Sequence, residues 1–351
     1  RPSDRTDALQ AGRYSARRHR RTHRQSRNLF SDPGSPECGS VLSVCFRFQS
    51  MPENNITDSG KSQWTIIKLI RWANSYLKAH DIDSPRATGE ILLAHALNVK
   101  RIDLYLNYDQ PLVADELNIF KMLIKRRIRR EPVAYILGTK EFWSMDLKIT
   151  QDVLIPRPET ECLVEVALKY LSQIPSVQTQ RILELGTGSG AIVLALVSQQ
   201  PRHLYFASDY FKKAAALACR NTVRNHFAGR IHFFVGDWLT PLNPKKSGFD
   251  MIVSNPPYIP RRVIDNLQPE IHRFEPLAAL NGGQDGLSCY RKIIGNAHIY
   301  LKPHGLLLLE IGHEQKDDIR RIATACDVYE DFNHAEDYSG YDRVVWMRKR
   351  G

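Results

Sequence analysis

Short apolar segments alternate with helix-like segments from Arg181 onward, and this pattern constrains the fold more than any other feature of the chain. Seven of these segments have the length of strands: RILELG, LYFASD, IHFFVGD, FDMIVS, GLLLLEIG, VYEDFN and RVVWMRK. Apolar strands that are mostly separated by helices form parallel sheets with both faces covered. No helical segment separates the last two strands, which predicts an antiparallel pair. We therefore predict an α/β, Rossmann-like fold, a mostly parallel seven-stranded sheet with an antiparallel C-terminal edge hairpin.

The segment before this alternation is helical and predicts a separate small domain. Apolar residues recur at helical spacing from Trp64 to about Arg130, and Ser84 followed by Pro85 is typical of an N-cap and a first helical position. The next stretch alternates and is rich in β-branched and aromatic residues, as in a β-hairpin. We predict a disordered extension over 1–60, a helical domain over 61–133, a β-hairpin linker over 134–158 and the sheet domain over 159–351.

Five basic residues lie at the end of the last helix of this predicted domain. Basic side chains near a helix C-terminus interact favourably with the helix dipole, so a solvated last turn accounts for them. Contact with RNA, a ribosome-associated partner or an acidic protein surface is the alternative. The residues are Lys125, Arg126, Arg127, Arg129 and Arg130.

The basic charge of the chain is concentrated in its first 50 residues. The 351 residues carry a formal net charge of +11, of which the first 50, with ten Arg and four acids, contribute +6. More than half of the excess charge therefore lies in this segment and says little about the folded body, whose own charge is only +5. The Arg-rich segment lacks apolar periodicity, and the first Met is Met51. It fits a transit peptide, a nucleic-acid-binding arm or upstream sequence that is not naturally translated.

The cysteines and the apolar runs indicate a soluble protein with reduced thiols. The six cysteines form neither a CxxC pair nor a Cys/His cluster, so we expect isolated thiols and no metal site. No apolar run approaches the ~20 residues of a membrane span. We expect a cytoplasmic protein with no membrane contact, or an organellar one if residues 1–50 are a transit peptide.

A glycine-rich turn, ELGTGSGA, follows the first strand of the sheet domain. Glycines permit positive φ and let backbone N–H groups approach a ligand at a helix N-terminus. Gly186, Gly188 and Ala191 match the pattern G-x-G-x-x-A, so the turn alone does not separate a nicotinamide cofactor from S-adenosylmethionine. The predicted cofactor-binding residues of this turn are Gly186, Thr187, Gly188, Ser189 and Gly190.

Acidic side chains follow the next two strands. Asp209 ends the second strand, 19 residues past Gly190, where a carboxylate can accept hydrogen bonds from ribose hydroxyls. Asp237 and Trp238 follow the third strand and can bind the exocyclic amine of adenine and one face of its ring. Because ligands gather at the carboxyl ends of parallel strands, we predict that all three residues contact the same cofactor.

The fourth strand ends in SNPPYIP, where two prolines force the chain out of the sheet. Methyl transfer from a sulfonium is an in-line displacement, so an acceptor nitrogen must aim its lone pair at the methyl group. In an amide or aromatic amine that lone pair is delocalised, and the site must hold both N–H bonds and the flat face. The side-chain oxygen of Asn255 and the carbonyl of Pro256 can each accept one N–H, and Tyr258 can stack on the planar group. We predict that these three residues are catalytic, that Asn255 also contacts the cofactor, and that Pro257 binds substrate.

Several motifs together resemble the release factor glutamine methyltransferases, a family also described as HemK-like or PrmC-like. The resemblance rests on REPVAYILG, LIPRPETE, LELGTGSGAI, DWL, IVSNPPYIP and FEPLAALNGGQDGL, and it extends from about Trp64 to the C-terminus. NPPY by itself also resembles the adenine-N6 methyltransferases of DNA and RNA. The glutamine-modifying family joins a small helical domain through a β-hairpin to a class I, Rossmann-like methyltransferase domain.

The resemblance implies a reaction, a cofactor and a partner. A methyl group would pass from S-adenosylmethionine to N5 of the glutamine in the GGQ tripeptide of class I peptide chain release factors. The enzyme would act as a monomer without direct nucleic-acid contact, and its helical domain would recognise substrate. Arg157 and Glu159 of IPRPET would shape the entrance and bind substrate. Phe211 stands where the family usually has Ser, which removes a helix cap but should leave the ribose contact of Asp209.

Three other functions remain open from the residues alone. An adenine-N6 methyltransferase acting on nucleic acid would suit the basic helix end, but a body charge of only +5 and the lack of aromatic and basic interleaving weigh against it. An interpretation as a dinucleotide-dependent oxidoreductase gives NPPY no role. An interpretation as a non-catalytic binding module gives no role to the predicted cofactor-binding residues, all of which are present. The chain's own GGQ at 282–284 is interpreted as a loop motif rather than a substrate, and Glu275 as a wall of the substrate cleft.

Overall fold

The computed structural model describes residues 63–246 and 248–351. The predicted extension over 1–60 lies outside the described residues, and so do the three interpretations of its Arg-rich segment. Within the described ranges, no helix combines the length and the apolar character that a membrane span requires.

Five helices form the first part of the described chain. They are α1 (Ile66–Lys78), α2 (Pro85–Leu97), α3 (Asp103–Leu106), α4 (Ala114–Ile128) and α5 (Val133–Leu137). The apolar residues of α1 recur every three or four positions and are buried along one face, from Ile66 to Leu77. Helix α2 packs closely on that face because Gly89 has no side chain, and a Cβ there would lie 3.0 Å from the Cβ of Ala73.

The side chain of Ser84 does not cap α2, contrary to the expectation from the sequence. The helix begins at Pro85 as predicted, but Ser84 has φ 48° and ψ 54° and its side chain makes no capping hydrogen bond. A capping side chain ordinarily needs an extended backbone at the N-cap, which directs its oxygen toward the open N–H groups of the first turn. Ser84 therefore takes part in the start of the helix through its backbone carbonyl, which accepts the N–H of Thr88 at 2.9 Å.

A two-stranded antiparallel hairpin follows α5, formed by β1 (Thr139–Phe142) and β2 (Met145–Lys148). The assignment of residues 134–137 to the hairpin linker was wrong, because these residues belong to α5. Gly138, at φ 74°, donates its N–H to the carbonyl of Ala134 at 2.8 Å and ends the helix, so the strand begins only after it.

The remaining chain forms a seven-stranded sheet with helices on both faces. Its elements are α6 (Thr160–Ser172), β3 (Arg181–Leu185), α7 (Ala191–Gln199), β4 (Leu204–Asp209), α8 (Lys212–Arg224), β5 (Ile231–Val235), β6 (Phe249–Ser254), α9 (Arg261–Ile264), α10 (Pro269–Phe274), α11 (Leu277–Leu280), α12 (Ser288–Tyr300), β7 (Leu301–Glu310), α13 (Lys316–Cys326), β8 (Tyr329–Glu336) and β9 (Asp342–Lys349). The strand order is β5-β4-β3-β6-β7-β9-β8, with antiparallel pairing only at β7–β9 and β9–β8. The predicted fold class is confirmed.

The central strands bury both of their faces, which explains why they are apolar throughout. Ile182 contributes to the apolar cluster on one face of the sheet, whereas its neighbour Leu183 contributes to the cluster on the other face. The chain places β4 and β5 on one side of β3 and then crosses to place β6 on the other side. A reversal of strand order of this kind opens a crevice at the carboxyl ends of the strands, where ligands bind.

Three of the five basic residues at the end of α4 form ion pairs with acidic residues of the chain. Arg127 is only 5% exposed and donates to the Glu270 carboxylate of α10 at 2.8 Å, while Arg130 contacts the same oxygen at 3.2 Å. Arg126 forms a salt bridge with Glu131 at 2.6 Å. The interpretation of this cluster as a solvated last turn was therefore wrong for Arg127 and Arg130, whose side chains are 7% and 24% exposed, whereas the side chain of Arg126 is 42% exposed. Arg127 and Arg130 join the helical part of the chain to the segment beside the crevice.

Candidate active site

A cleft of about 340 Å³ opens at the carboxyl ends of the central strands. Ten residues singled out in the sequence line it: Arg157, Gly186, Thr187, Gly188, Ser189, Asp209, Asp237, Trp238, Asn255 and Pro257. Four others do not line it: Glu159, Gly190, Pro256 and Tyr258. The structure thus brings residues from four strand ends and from the IPRPET segment into one cavity.

The glycines of the turn after β3 have two different physical tasks. Gly186 and Gly188 have φ of 71° and 56°, a backbone region that favours glycine, and an added Cβ at Gly188 would meet no atom within 4 Å. Gly190 has φ 85° and instead faces α8, where an added Cβ would lie 3.1 Å from that of Ala218. The first two glycines therefore shape the cleft, whereas the third allows α7 and α8 to pack closely.

A buried carboxyl group that the sequence reasoning did not single out lies at the base of this turn. Glu184 is 1% exposed, lines the cleft, and accepts a hydrogen bond from the Thr187 hydroxyl at 2.6 Å. Burial raises the pKa of Glu184 to about 8, although the Thr187 bond acts in the opposite direction. The available signal was an acidic residue within the otherwise apolar run ILEL, just before the first glycine of the turn. A buried carboxyl group of this kind favours binding of a cationic ligand, because the positive charge of the ligand stabilises the ionised carboxylate.

Replacing Glu184 by glutamine should change how stability depends on pH. The unfolded chain releases this proton near the ordinary glutamate pKa of 4.5, whereas the native protein keeps it until about pH 8. Native stability therefore falls as pH rises through that window, and Glu184→Gln removes this loss. We expect the melting temperature of the variant to rise relative to wild type between pH 5 and pH 8. The matched control is Glu141→Gln at an exposed position, whose melting temperature should differ from that of wild type by the same amount at every pH. A difference for Glu184→Gln that is also constant over this range would contradict the raised pKa of Glu184.

Asp209 connects the glycine turn to the end of β4. One carboxylate oxygen accepts the N–H of Gly188 and the other accepts the N–H of Phe211, both at 2.9 Å. Burial raises the pKa of Asp209, and these backbone donors act against the increase. Phe211 occupies the N-cap of α8 without a side-chain cap, as its departure from the usual serine predicts. The carboxylate of Asp209 thus holds the turn in a defined position beside the cleft.

Trp238 and Asp237 form the wall after β5. Trp238 has φ 50°, and its ring would lie 3.8 Å from a Cβ added at Gly186, so the indole covers the glycine turn. Cys289 of α12 lines the same cavity. This wall offers an aromatic surface and a carboxylate at one end of the cleft.

Asn255 lies at the opposite wall, directly after β6. The hydroxyl of Ser254 donates to the carbonyl of Leu185 at 2.8 Å and ties the end of β6 to β3. The side-chain amide of Asn255 donates through Nδ2 to Oγ1 of Thr160 at 3.3 Å. With the N–H₂ group directed at Thr160, the carbonyl oxygen of the amide remains to accept a hydrogen bond from a ligand.

Tyr258 does not line the cleft, although the sequence reasoning expected its ring to stack on the acceptor. Its side chain is partly buried, and burial raises the pKa of its hydroxyl to about 12. Its backbone carbonyl accepts a hydrogen bond from Nε2 of Gln315 at 3.0 Å, and the same nitrogen contacts the carbonyl of Gly286 at 3.3 Å. Gln315 thus joins the NPPY corner to the loop that contains the chain's own GGQ.

Arg157 and Glu275 form the outer rim of the cleft. Their side chains are in short ionic contact, and Glu275 also accepts the N–H of Ile155 at 3.2 Å. Arg157 lines the cavity, as do Pro276, Ala278 and Ala279, which follow Glu275. Glu159 is the N-cap residue of α6. The rim therefore combines a held guanidinium with a small apolar wall.

The strand order and the cleft define a Rossmann-like fold with a ligand site at its strand ends, and comparison with known proteins identifies the protein as a methyltransferase. Two family models match the chain, the PrmC N-terminal domain over residues 68–138 and the methyltransferase small domain over residues 165–270. These matches cover the helical part and the centre of the sheet part, and they confirm the predicted enzyme class.

Proteins of similar sequence show which family of methyltransferases the chain belongs to. A release factor glutamine methyltransferase of Geobacter sulfurreducens is 41% identical over 285 residues, 81% of this chain and 97% of that protein. One of Caulobacter vibrioides is 37% identical over 80% of this chain and 95% of that protein. The solved protein-(glutamine-N5) methyltransferase (release factor-specific) of Alicyclobacillus acidocaldarius is 27% identical, with a TM-score of 0.35, and covers 58% of this chain and 99% of that chain. The chain belongs to the release factor glutamine methyltransferase family, as the two bacterial relatives show.

Proposed function

We propose that the protein transfers a methyl group from S-adenosylmethionine to N5 of the glutamine in the GGQ tripeptide of a class I peptide chain release factor, acting as a cytoplasmic monomer. The observation that carries the proposal is the orientation of Asn255, whose amide N–H₂ is held by Thr160 so that its oxygen can accept an N–H from a planar acceptor. Relatives named for this substrate support the choice of glutamine.

The residues of the cleft suit S-adenosylmethionine. Gly186 and Gly188 leave space for a ligand beside exposed backbone, and Asp209 lies next to them at the position where a ribose is bound in this type of fold. Glu184 supplies a carboxyl group for a cationic ligand, and Trp238 supplies an aromatic face for adenine. When bound, S-adenosylmethionine supplies an electrophilic methyl group on a sulfonium.

The chain's own residues then orient the acceptor nitrogen. The Asn255 oxygen and the Pro256 carbonyl accept the two N–H bonds, which turns the nitrogen lone pair out of conjugation and toward the methyl group. The rigid prolines hold these two acceptors at a constant separation. No base is needed before attack, because the nitrogen loses its proton easily once it has become cationic.

The rival acceptor is adenine in nucleic acid, which shares NPPY and which the basic end of α4 and the Arg-rich segment would suit. At the end of α4, Arg127 and Arg130 are engaged in ion pairs with Glu270, which weighs against a nucleic-acid surface there. We therefore propose that nucleic acid does not bind directly. The GGQ of this chain is also unsuited as a substrate, because Gly282 and Gly283 are held by backbone hydrogen bonds to Ile259 and Arg261.

The test offers methyl-labelled S-adenosylmethionine together with one acceptor at a time. We expect label on a class I release factor, no label on a release factor whose GGQ glutamine is replaced by alanine, and no label on adenine-containing DNA or RNA. Label on nucleic acid in place of the release factor would overturn the proposal. A Gln284→Ala variant of the enzyme serves as a control and should label the release factor as wild type does.

A further inference from the structure

A buried carboxyl group that the proposed reaction does not use lies directly behind Asn255. Glu310 ends β7 and is 1% exposed. Parallel pairing places Ser254 opposite Leu309, so Asn255, which directly follows β6, lies beside Glu310, the last residue of β7. The Oε2 atom of Glu310 has no hydrogen-bond partner among the described residues. A buried, incompletely satisfied carboxyl group is costly and calls for a physical explanation.

Thr160 links this carboxyl group to the amide of Asn255. Thr160 begins α6, is 4% exposed and lines the cleft. Its oxygen accepts the Nδ2–H of Asn255, so its own proton is available for an acceptor. Thr160 and Asn255 both act on Glu310 in the direction that favours its ionised form. The Thr160 hydroxyl is therefore able to donate to the Glu310 carboxylate while it accepts from Asn255.

The surroundings of Glu310 set the pH at which its carboxyl group is ionised and able to accept the Thr160 proton. Burial raises the pKa of Glu310 to about 7, while Thr160, Arg343 and Asn255 lower it and Glu159 raises it further. Arg343 does not neutralise the group by direct pairing, because it donates to the Asp337 carboxylate at 3.0 Å and to the Ile311 carbonyl at 3.2 Å. The other titratable groups that interact with Glu310 are Tyr258, Tyr290 and Cys162.

We propose that Glu310 and Thr160 are positioning residues that fix the amide of Asn255 with its oxygen toward the acceptor nitrogen. Ionised Glu310 can only accept, so the Thr160 hydroxyl donates to it and accepts from Asn255, and the amide has one orientation. Protonated Glu310 is itself a donor, and the amide can then turn its oxygen away from the cleft. This inference rests on the proposed function, since it assigns a task only if Asn255 binds an acceptor N–H.

Two variants of Thr160 separate orientation from packing. Thr160→Val keeps the shape but removes the hydroxyl, and kcat should fall about tenfold or more, as for the loss of one functional hydrogen bond. Thr160→Ser restores the hydroxyl and should recover most of that loss. Thr222→Val is the matched control, because Thr222 is a buried threonine whose hydroxyl bonds only to the Ala218 carbonyl in α8. It should leave kcat unchanged, and all three variants should keep the wild-type affinity for S-adenosylmethionine.

The pH profile tests Glu310 independently of Thr160. Wild-type kcat should rise as Glu310 ionises, with a midpoint near pH 7, the approximate pKa of its carboxyl group. Glu310→Gln cannot titrate and should lose this limb of the profile while still binding S-adenosylmethionine. Three results would each overturn the inference. The first is a kcat of Thr160→Val within twofold of wild type, and the second is an equal loss of kcat in Thr160→Val and Thr160→Ser. The third is a Glu310→Gln profile in which kcat still rises with pH as in wild type. All rates are taken relative to wild type on the release factor, so a wild-type enzyme that does not label it refutes the proposed function instead.

Discussion

Asn255→Ala is expected to abolish methyl transfer almost completely, lowering kcat by about 100- to 1,000-fold, the range for removing one hydrogen-bonding group that orients and stabilises a reacting centre. The alanine cannot accept an N–H from the acceptor amide, so the lone pair of that amide remains conjugated and poorly aimed. Cofactor binding should persist in part, because the glycine turn, Asp209 and Trp238 are untouched. Steady-state kinetics on a release factor and calorimetric titration with S-adenosylmethionine measure the two effects separately.

The matched control for this variant is Asn296→Ala. Asn296 is an exposed asparagine of α12 whose amide bonds only to the Lys292 carbonyl at 2.8 Å. It should keep wild-type kcat and wild-type affinity. An Asn255→Ala enzyme that retains more than a tenth of wild-type kcat would contradict the hydrogen-bonding role, and one that loses both kcat and all cofactor affinity would indicate a collapsed cleft.

Gly286→Ala should be nearly as damaging, although Gly286 does not line the cleft. Gly286 has φ 80°, and an added Cβ would overlap the Tyr258 carbonyl oxygen and lie 2.8 Å from Nε2 of Gln315. The NPPY corner would have to move away from this loop, and displacements of about 1 Å at a reacting centre can lower kcat about 100-fold. We expect a loss of that size in kcat together with reduced stability in a denaturant titration.

Gly340→Ala separates the clash from the backbone strain. Gly340 has nearly the same φ, 79°, but a Cβ there would meet no atom within 4 Å. It should lose only the roughly 1–2 kcal/mol of stability that an L-residue loses in the left-handed region. Its kcat should match wild type. If Gly286→Ala behaves like Gly340→Ala, the GGQ-containing loop does not support the NPPY corner.

The sequence predicted the sheet and most of the residues that line the cleft, because those features are local. Strands that are apolar throughout, a glycine turn and an acid at a strand end each follow from neighbouring residues, and parallel topology brings the strand ends together. The family motifs added the choice of glutamine, which NPPY by itself could not supply.

The features that were missed depend on contacts between distant residues. Arg127 has the local pattern of a solvated helix end, and only the fold brings Glu270, far along the chain, to within 2.8 Å of it. Glu310 ends an apolar strand whose sequence predicts only a buried strand, and the role proposed for it depends on Thr160 and Asn255, which lie far from it in the sequence. Tyr258 does not line the cleft, and its backbone carbonyl accepts a hydrogen bond from Gln315, a residue that NPPY gives no hint of; the stacking of its ring on the acceptor stays a prediction.

The ion pair between Arg127 and Glu270 has a consequence for how the position of α4 responds to salt. Because the pair is largely buried, with side chains only 7% and 14% exposed, salt screens it far less than it screens surface pairs. The ion pair therefore holds α4 to α10, which directly precedes Glu275 at the rim of the cleft, at low and at high ionic strength alike. We expect the position of α4 relative to α10 to change little when the salt concentration is raised.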